Sequence, residues 1–426
     1  MSFDLTSIAP LNIAIIGGGI SGLAAAWLLA PHHRVSVFEA APRLGGHART
    51  VLAGRRGDQP VDTGFIVFNH VNYPHLTGLF QRLNVPIQKS DMSFGVSLDG
   101  GRVEYALRNL GSLFGQRRNA LSPAFYAMIR DILRFNKTAE GVVEAAPGLT
   151  LAEVIERMRL GQGFARHYLY PFCGAIWSTP DHQIGGFPAQ TLLRFMRNHG
   201  LLSSSGHHQW WTVSGGSVSY VDRLATALKH AGVEIRLGAR VASVSRPDGQ
   251  VLLRCDGAEP ERFDHVILAS HADQSLALLA DADATERTTL GAVRFQDNKT
   301  VLHADPSVMP RQRRCWSSWV AHGDSKGAVG VSYWMNKLQA IPEDDPLFVT
   351  LNATARIDPK LIYDEVTFRH PIFDQAAIAA QGQIRAMQGR RNTWFAGAWL
   401  RNGFHEDGFA SAARIARALS PARVLV

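Results

Sequence analysis

Three glycines and one carboxylate near the amino terminus have the residue types and spacing of a dinucleotide site. Gly17, Gly19 and Gly22 form a G-x-G-x-x-G pattern, and Glu39 follows Gly19 by 20 residues. The first glycine permits a tight turn, the second lets the backbone approach a pyrophosphate, and the third allows close packing of helix and strand. An acid at the position of Glu39 accepts hydrogen bonds from ribose hydroxyls and disfavours NADP. The contacts predicted in this segment are Gly17, Gly18, Gly19, Ser21, Gly22, Glu39 and Ala40.

The segments around these glycines supply the elements that such a site requires. Residues 11–16 predict a buried parallel strand, residues 23–30 predict a helix whose N-terminus faces the phosphates, and residues 34–40 predict a second strand. This context makes the pattern far more specific than the glycines alone. The sequence has no second fingerprint, since Gly215-Gly216 lacks both the strand and the acid. It therefore disfavours a monooxygenase or disulfide reductase and favours an oxidase, a dehydrogenase with an external acceptor, or a redox-neutral isomerase.

A second glycine pair, directly after these elements, distinguishes FAD from NAD. Gly45 and Gly46 allow the chain to pass beneath a bound cofactor, which ordinary NAD dehydrogenases do not require. Residues 61–68 then predict a turn and an apolar strand. The arrangement favours FAD, and the contacts predicted here are Gly45, Gly46, His47, Thr63, Gly64 and Phe65.

Further along the chain, four segments join these motifs in resembling one superfamily: residues 211–228, 233–244, 263–272 and 393–419. The sequence resembles the flavin-containing amine oxidases, which include monoamine oxidases, protoporphyrinogen oxidase, phytoene desaturases and a fatty-acid double-bond isomerase. The resemblance implies FAD, with Val241 beside the adenine and the last helix directed at the pyrimidine end of the flavin. His47 stands where the superfamily often has an arginine. The further cofactor contacts that the resemblance implies are Val241, Ala269, Gly397, Ala398, Glu406, Asp407 and Gly408.

A narrower resemblance concerns a bacterial group of NAD/FAD-binding proteins associated with operons for modified fatty acids. It is carried by residues 174–178, 187–202, 332–339, 348–352 and 403–408. The implied fold class is α/β, with a discontinuous, Rossmann-like FAD-binding domain and a second α+β substrate domain in an amine-oxidase-like, two-domain architecture. The FAD domain is assembled from residues 1–75, 211–285 and 391–426. The substrate domain has a mostly helical part, 76–210, and a strand-rich part, 286–390.

Three residues are candidates for the chemistry beside the flavin. The amine oxidases have a lysine that holds a water near flavin N5, and alignment of residues 297–305 with that strand places Lys299 there. A lysine buried at the flavin would have a lowered pKa, whereas the alternative is a lysine on a surface strand. In the loop that meets the flavin, His405 could exchange a proton near neutral pH together with Glu406; alternatively, His405 orients the loop and Glu406 caps the last helix. Trp399 replaces a glutamate that the family usually has.

The candidate substrate pocket is aromatic, and it includes Trp177, Trp319 and Tyr333. A long apolar pocket suits an acyl chain, and the sequence shows no acidic site for recognising an amine. The favoured function is FAD-dependent oxidation or isomerisation at a carbon–carbon bond of a fatty-acyl or related lipid, by hydride transfer at flavin N5. Two alternatives stay open: an amine oxidase that releases hydrogen peroxide, and a non-catalytic flavoprotein partner of a lipid-modifying enzyme.

Composition restricts the remaining classes. The chain has 426 residues and a net charge of +8, without the dense basic block of a nucleic-acid-binding protein. Its three cysteines lack ligand spacing, which argues against a metal or disulfide framework and favours a cytoplasmic, reducing compartment. We identify no spanning helix and no secretory signal. Residues 108–118 mix arginine with Leu and Phe and predict either a solvated face or contact with anionic lipid at the inner membrane surface. The sequence leaves the oligomeric state open.

Overall fold

The computed structural model describes residues 9–177, 184–202, 208–323 and 329–420. Its strands are β1 Asn12–Ile16, β2 Arg34–Glu39, β3 Thr50–Ala53, β4 Gln59–Asp62, β5 Val67–Phe68, β6 Ile87–Ser90, β7 Phe94–Leu98, β8 Val103–Ala106, β9 Trp210–Val213, β10 Glu234–Leu237, β11 Val241–Ser245, β12 Val251–Cys255, β13 Glu261–Phe263, β14 His265–Leu268, β15 Phe295–His303, β16 Trp319–Gly323, β17 Val329–Trp334, β18 Phe348–Leu351, β19 Ile362–Pro371 and β20 Thr393–Phe395. Its helices are α1 Ile20–Leu29, α2 Pro74–Arg82, α3 Leu110–Leu113, α4 Pro123–Ala145, α5 Leu151–Arg157, α6 Gln162–Phe164, α7 Tyr170–Trp177, α8 Ala189–Asn198, α9 Val218–His230, α10 Ala272–Leu278, α11 Ala284–Gly291, α12 Met335–Leu338, α13 Gln375–Met387 and α14 His405–Leu419.

A five-stranded parallel sheet, in the order β10-β2-β1-β14-β20, forms the centre of the first domain. Alternate side chains along β1 point to opposite faces, as strand geometry requires. Ile13 and Ile15 pack with α1, α9 and α14 on one face, whereas Ala14 and Ile16 pack against β11, β12 and α13 on the other. Both faces of the sheet are therefore covered, which explains why β1 is a continuous apolar run.

The strands of this sheet come from three distant stretches of the chain. In register, Ile13 of β1 lies opposite Val35 of β2 and His265 of β14, and β20 adds residues 393–395 at the edge. Because all five strands are parallel, their carboxyl ends meet at one edge. The turn after β1 lies at the middle of that edge, where open α/β sheets bind ligands. The fold class predicted from the sequence is confirmed.

The second domain is built on a seven-stranded sheet, in the order β19-β15-β18-β17-β16-β7-β8. Strands β15 to β19 belong to the part that was predicted to be strand-rich. Strands β7 and β8, however, come from residues 94–106, inside the part predicted to be mostly helical. The carboxylate of Glu104 on β8 accepts hydrogen bonds from the N–H groups of Arg311 and Gln312, at 2.8 and 3.0 Å. Partners this far away in sequence have no local signature, and the helical prediction therefore missed these strands.

The predicted helices of the second domain cover one side of this sheet. Helix α4 buries Phe135, which packs 5.2 Å from Phe164 between ring centroids, in a core shared with Val96 of β7. At the start of α5 the predicted capping box is present, because Thr150 and Glu153 bond reciprocally to each other's backbone. Within the described ranges, no helix combines the length and apolar character needed to cross a bilayer.

Candidate functional site

A single large cavity of about 1670 Å³ runs from the carboxyl edge of the parallel sheet to the seven-stranded sheet and α4. We call its two parts the nucleotide section and the apolar section. The nucleotide section is lined by the turn after β1 and the ends of β2 and β14. The predicted cofactor contacts that line the cavity are Gly17, Gly19, Ser21, Glu39, Ala40, Gly45, Gly46, His47, Thr63, Gly64, Phe65, Val241, Ala269, Gly397 and Ala398. Those that do not line it are Gly18, Gly22, Glu406, Asp407 and Gly408.

The turn after β1 leaves room for a phosphate group at its backbone. Gly17 has a φ of +113°, and a Cβ atom there would lie 2.7 Å from the carbonyl oxygen of Ala269. A Cβ atom on Gly19, by contrast, would meet only the Cα atom of Gly46, at 4.0 Å. The open space at Gly19 lies at the N-terminus of α1, where free N–H groups and the helix dipole favour an anion. This geometry fits the pyrophosphate of FAD.

Gly22 and Gly408 act through packing rather than through direct contact. A Cβ atom on Gly22 would lie 1.9 Å from the carbonyl oxygen of Gly17, and one on Gly408 would lie 2.8 Å from Oγ of Ser21. These two glycines allow α1 to approach the turn and α14 to approach α1. They therefore set the position of residues that do line the cavity.

Glu39 stabilises the turn and also lines the cavity. Its carboxylate accepts hydrogen bonds from the N–H of Gly18 at 2.6 Å and from the N–H of Ala41 at 2.8 Å. This explains why Gly18 lies behind the cavity wall. The contact between Glu39 and ribose hydroxyls stays a prediction.

A cluster of three histidines lies on the cavity wall: His47, His271 and His370. The His47 ring stacks on Phe368 at 4.8 Å, and its centroid lies 5.9 Å from that of His271 and 5.7 Å from that of His370. Burial lowers the pKa of His47, lowers that of His271 to about 4 and lowers that of His370 to about 3. All three rings are therefore neutral at pH 7. Where the superfamily often has an arginine, this site has an uncharged imidazole.

The cluster also has one unsatisfied polar atom. Nδ1 of His271 is buried and has no hydrogen-bond partner within the part of the chain that the structure describes. A buried polar group without a partner costs free energy, so this atom is available to a polar group that enters the cavity. Together with the open turn at Gly19, it supports the fit of FAD to the nucleotide section.

His405 lies on the cavity wall at the first position of α14. Its ring stacks on Phe65, with centroids 3.9 Å apart and planes 11° from parallel. Its Nε2 lies 2.6 Å from the hydroxyl of Tyr220. Burial lowers the pKa of His405 to about 3. This imidazole is thus held in one orientation and is neutral, so it serves as a hydrogen-bonding group.

Glu406 and Asp407 face away from the cavity. Glu406 accepts hydrogen bonds from the N–H groups of His75 and Leu76, both at 3.0 Å, and it therefore caps the first turn of α2. Asp407 accepts from the N–H of Phe404 at 3.1 Å and caps α14 itself, and burial raises its pKa to about 6. Successive helical residues point about 100° apart, and of His405, Glu406 and Asp407 it is His405 that lines the cavity. The predictions that Glu406 takes part in the chemistry and contacts the cofactor are wrong, because it lies outside the cavity. The alternative that it caps the last helix is also wrong, because it caps α2.

Lys299 is an exposed residue of β15. Its side chain is 62% exposed, and Nζ lies 2.9 Å from the carboxylate of Glu365 on the neighbouring strand. Its neighbours Asn298 and Thr300 are buried. Side chains alternate between the two faces of a strand, so a register one residue out of phase moves the lysine to the solvent side. The prediction of a buried lysine at the flavin is wrong.

The predicted substrate aromatics separate into two groups. Trp319 and Tyr333 line the apolar section, with ring centroids 4.9 Å apart and nearly perpendicular planes. Trp177 instead packs in the helical core, 5.0 Å from Phe187 and 5.1 Å from Phe195, so its assignment to the cavity is wrong. Such rings are apolar wherever they lie, and composition alone does not distinguish core from cavity.

Several cavity residues were not predicted. His271 and His370 line it and come from two different elements, and Tyr220 of α9 is buried behind the wall and contacts His405, so no sequence spacing connects them with His47 or His405. The replacement residue Trp399 lines the cavity, and its indole N–H donates to the carbonyl of Ser270 at 3.1 Å. It therefore holds the loop after β14 where the family usually has a glutamate.

Comparison with known proteins agrees with this geometry. The family model for flavin-containing amine oxidoreductases matches residues 20–292. An FAD-dependent oxidoreductase from Emericella nidulans is 38% identical over 94 residues, which cover 22% of this chain and 19% of that protein. The chain thus spans about a fifth of the length of this curated relative.

Two solved structures show the same fold. A fatty acid isomerase from P. acnes that produces CLA has a TM-score of 0.69 and 15% identity, over 98% of this chain and 100% of that one. Cyclohexylamine oxidase from Brevibacterium oxydans has a TM-score of 0.69 and 16% identity, over 96% and 99% of the two chains. With the matched family model and the fit of the nucleotide section to FAD, the chain belongs to the flavin-containing amine oxidoreductase family.

Proposed function

We propose that this protein is an FAD-dependent oxidoreductase that acts on a carbon–carbon bond of a fatty-acyl or related lipid chain, by desaturation or double-bond isomerisation. The observation that carries the proposal is the apolar section, which is continuous with the nucleotide section. Its walls are predominantly aliphatic and aromatic, which suits a flexible hydrocarbon chain. The residues concerned are Ile132, Leu133, Tyr168, Phe172, Ala175, Ile176, Leu201, Trp319, Tyr333 and Leu351.

The charge on the substrate side argues against a cationic substrate. In the described chain, Asp91 is the acidic residue that lines this side of the cavity. One oxygen of its carboxylate already accepts hydrogen bonds from the hydroxyls of Ser93 and Ser318, both at 2.6 Å, and from the N–H of Ser93 at 3.1 Å. An ammonium group would therefore find only the second oxygen of this carboxylate open. The predominance of apolar walls over this single carboxylate favours a neutral hydrocarbon segment over an amine.

The residues of the chain position the substrate and exclude water. When bound, FAD supplies the acceptor for a hydride. Trp319 and Tyr333 restrict the cross-section of the apolar section, which would hold an extended chain in a defined position. His405, fixed by Tyr220 and Phe65, offers a neutral hydrogen-bonding group on the wall. The likeness to the fatty acid isomerase supports the fold of this cavity, and that protein's name gives a first substrate class to test.

Anaerobic titration of the purified holoprotein with lipid tests the proposal. Loss of the oxidised flavin absorption, together with a new double bond in the product, supports desaturation. A shifted double bond without net bleaching supports isomerisation. The control is Trp177→Phe, a matched aromatic change outside the cavity, which should leave both signals unchanged while Trp319→Phe weakens them.

Other outcomes would overturn the proposal in favour of an alternative. Hydrogen peroxide released with a panel of amines, and not with lipids, would identify an amine oxidase. A flavin that is reduced by light but that neither lipid nor amine reduces or reoxidises, in a protein that forms a stable complex with a lipid-modifying enzyme, would identify a non-catalytic partner.

A further inference from the structure

The apolar section of the cavity reaches the surface between the end of β8 and the middle of α4. Leu107 and Arg108 form one side of this opening, and Ile132 and Leu133 form the other. Leu107 is 41% exposed and Leu133 is 60% exposed, so apolar atoms are continuous from the cavity wall to the outer surface. We call the exposed residues of the segment 107–134 the mouth patch.

Large exposed apolar side chains are concentrated in the mouth patch. Besides the two leucines at the opening, Leu110, Leu121 and Tyr126 are 75%, 87% and 50% exposed. These five residues are half of the ten large hydrophobic residues that are exposed in the described chain, although the segment is short. Single exposed leucines need no explanation, but a cluster around an opening marks an interaction surface.

Helix α4 presents part of this patch as one stripe. Tyr126, Arg130 and Leu133 of the patch, and Lys137 just beyond it, follow one another at intervals of four, three and four residues, which places them on the same helix face. The buried residues of α4, such as Phe125, Met128 and Phe135, lie on the opposite face. The outward stripe thus presents apolar and cationic side chains together on the exposed side of the helix.

The charge of the patch is almost entirely positive. The segment contains five arginines and one acid, Asp131, which is buried and pairs with Arg130 at 3.3 Å, so four arginines have no acidic partner within the segment. Arg118 and Arg134 donate to backbone carbonyl groups at 3.2 and 2.9 Å, and these neutral partners leave their charge uncompensated. An anionic surface is therefore the complementary partner for this face. The arginines are Arg108, Arg117, Arg118, Arg130 and Arg134.

We propose that the mouth patch docks on an anionic phospholipid bilayer, with its leucines inserted below the head groups and its arginines at the level of the phosphates. The acyl chain of a membrane lipid then passes from the bilayer through the opening into the apolar section. A bilayer fits better than a protein partner because Leu107 and Leu133 lie at the entrance to an apolar cavity, and the other exposed apolar residues of the patch come from the same arginine-rich segment. The delivery of an acyl chain rests on the proposed function, whereas docking itself does not.

Flotation of the holoprotein with vesicles tests the docking. Vesicles of phosphatidylcholine that contain about 30 mol% phosphatidylglycerol should bind the protein. Vesicles of pure phosphatidylcholine should bind it more weakly. Leu110→Ser with Leu121→Ser should reduce the partition coefficient at least about tenfold. Arg108→Ala with Arg117→Ala should reduce it roughly 25-fold, at about fivefold per arginine, and added salt should shrink only this charge-dependent part.

Matched pairs elsewhere on the surface provide the controls. Leu52→Ser with Val71→Ser removes exposed apolar residues, and Arg55→Ala with Arg56→Ala removes exposed arginines; both pairs should bind vesicles as the unchanged protein does. Equal losses in control and patch variants, or no vesicle binding at all, would overturn the proposal. Vesicle binding that persists without any flavin response to lipid would instead overturn the proposed function and leave the docking intact. A flavin response to dispersed lipid without vesicle binding would overturn the docking and leave the proposed function intact.

Discussion

Replacing Gly19 with alanine should separate FAD binding from folding. Gly19 has a φ of −79° and lies at the N-cap of α1, a conformation that alanine adopts without strain. Its Cβ atom would meet only Gly46, at 4.0 Å, so the fold should lose no more than about 1 kcal/mol for the poorer cap. The same methyl group would project into the space at the turn that fits a pyrophosphate.

The cost to FAD binding is large by comparison. Displacement of the pyrophosphate from this backbone breaks about two charge-assisted hydrogen bonds, each worth about 1.5–3 kcal/mol. The resulting 3–6 kcal/mol is a loss of affinity of roughly 100-fold or more. We expect Gly19→Ala to elute from gel filtration without flavin absorption while its circular dichroism spectrum stays unchanged.

Two control variants make this result interpretable. Gly78→Ala lies in α2 with nothing within 4 Å of its Cβ atom, and it should keep its flavin and gain about 1 kcal/mol of helix stability. Gly22→Ala would place Cβ 1.9 Å from the carbonyl oxygen of Gly17, so it should impair folding itself. A Gly19→Ala protein with full flavin content and unchanged affinity would refute the assignment of this turn to the pyrophosphate.

Three other changes test the remaining parts of the site. Lys299→Met should leave flavin content and turnover unchanged and alter the unfolding free energy by less than about 1 kcal/mol, because its ion pair is exposed. A tenfold loss of turnover would show instead that Lys299 takes part in the reaction. Tyr220→Phe should keep the flavin but lower turnover about tenfold, because His405 loses the hydroxyl that orients it and the lost hydrogen bond costs about 1 kcal/mol. Stopped-flow measurement of flavin reduction would detect this change, and an unchanged rate would contradict it. Burial raises the pKa of Asp62 from 3.8 to about 6, so the folded protein retains this proton more strongly than the unfolded chain. The contribution of protonated Asp62 to the free energy of unfolding is therefore fully present below pH 4. It falls by roughly 3 kcal/mol as the pH rises through about 6. The difference in unfolding free energy between the unchanged protein and Asp62→Asn should fall by that amount, and a difference independent of pH would show that Asp62 does not titrate in this range.

The nucleotide section could be predicted from the sequence because its determinants are local. The turn at Gly17 and Gly19, the helix after it and the acid at Glu39 lie within one strand–helix–strand unit. Each glycine is required by a contact with a nearby backbone, and such a requirement is visible as a residue type at a fixed spacing. The same holds for Gly45 and Gly46, and FAD follows from this local pattern.

The catalytic side could not be predicted in the same way. The position of Lys299 depended on strand register and that of Glu406 on helix rotation, and an error of one residue in either moves a side chain to another face. The mouth patch shows the same limit, because the arginines of residues 108–118 are visible in the sequence but their place at the cavity opening is not.

The amino-acid sequence thus determined the cofactor, the fold class and the parallel sheet that presents the glycine turn, because short-range backbone geometry and apolar periodicity specify these features. Only the tertiary structure decided which side chains meet across the cavity. His47, His271 and His370 converge there from a loop, a helix cap and a strand, and Tyr220 meets His405 across 185 residues. Such contacts arise from tertiary packing, within the FAD domain for Tyr220 and His405 and between the two domains for His47 and His370, and packing places residues together without leaving a periodic trace in the chain.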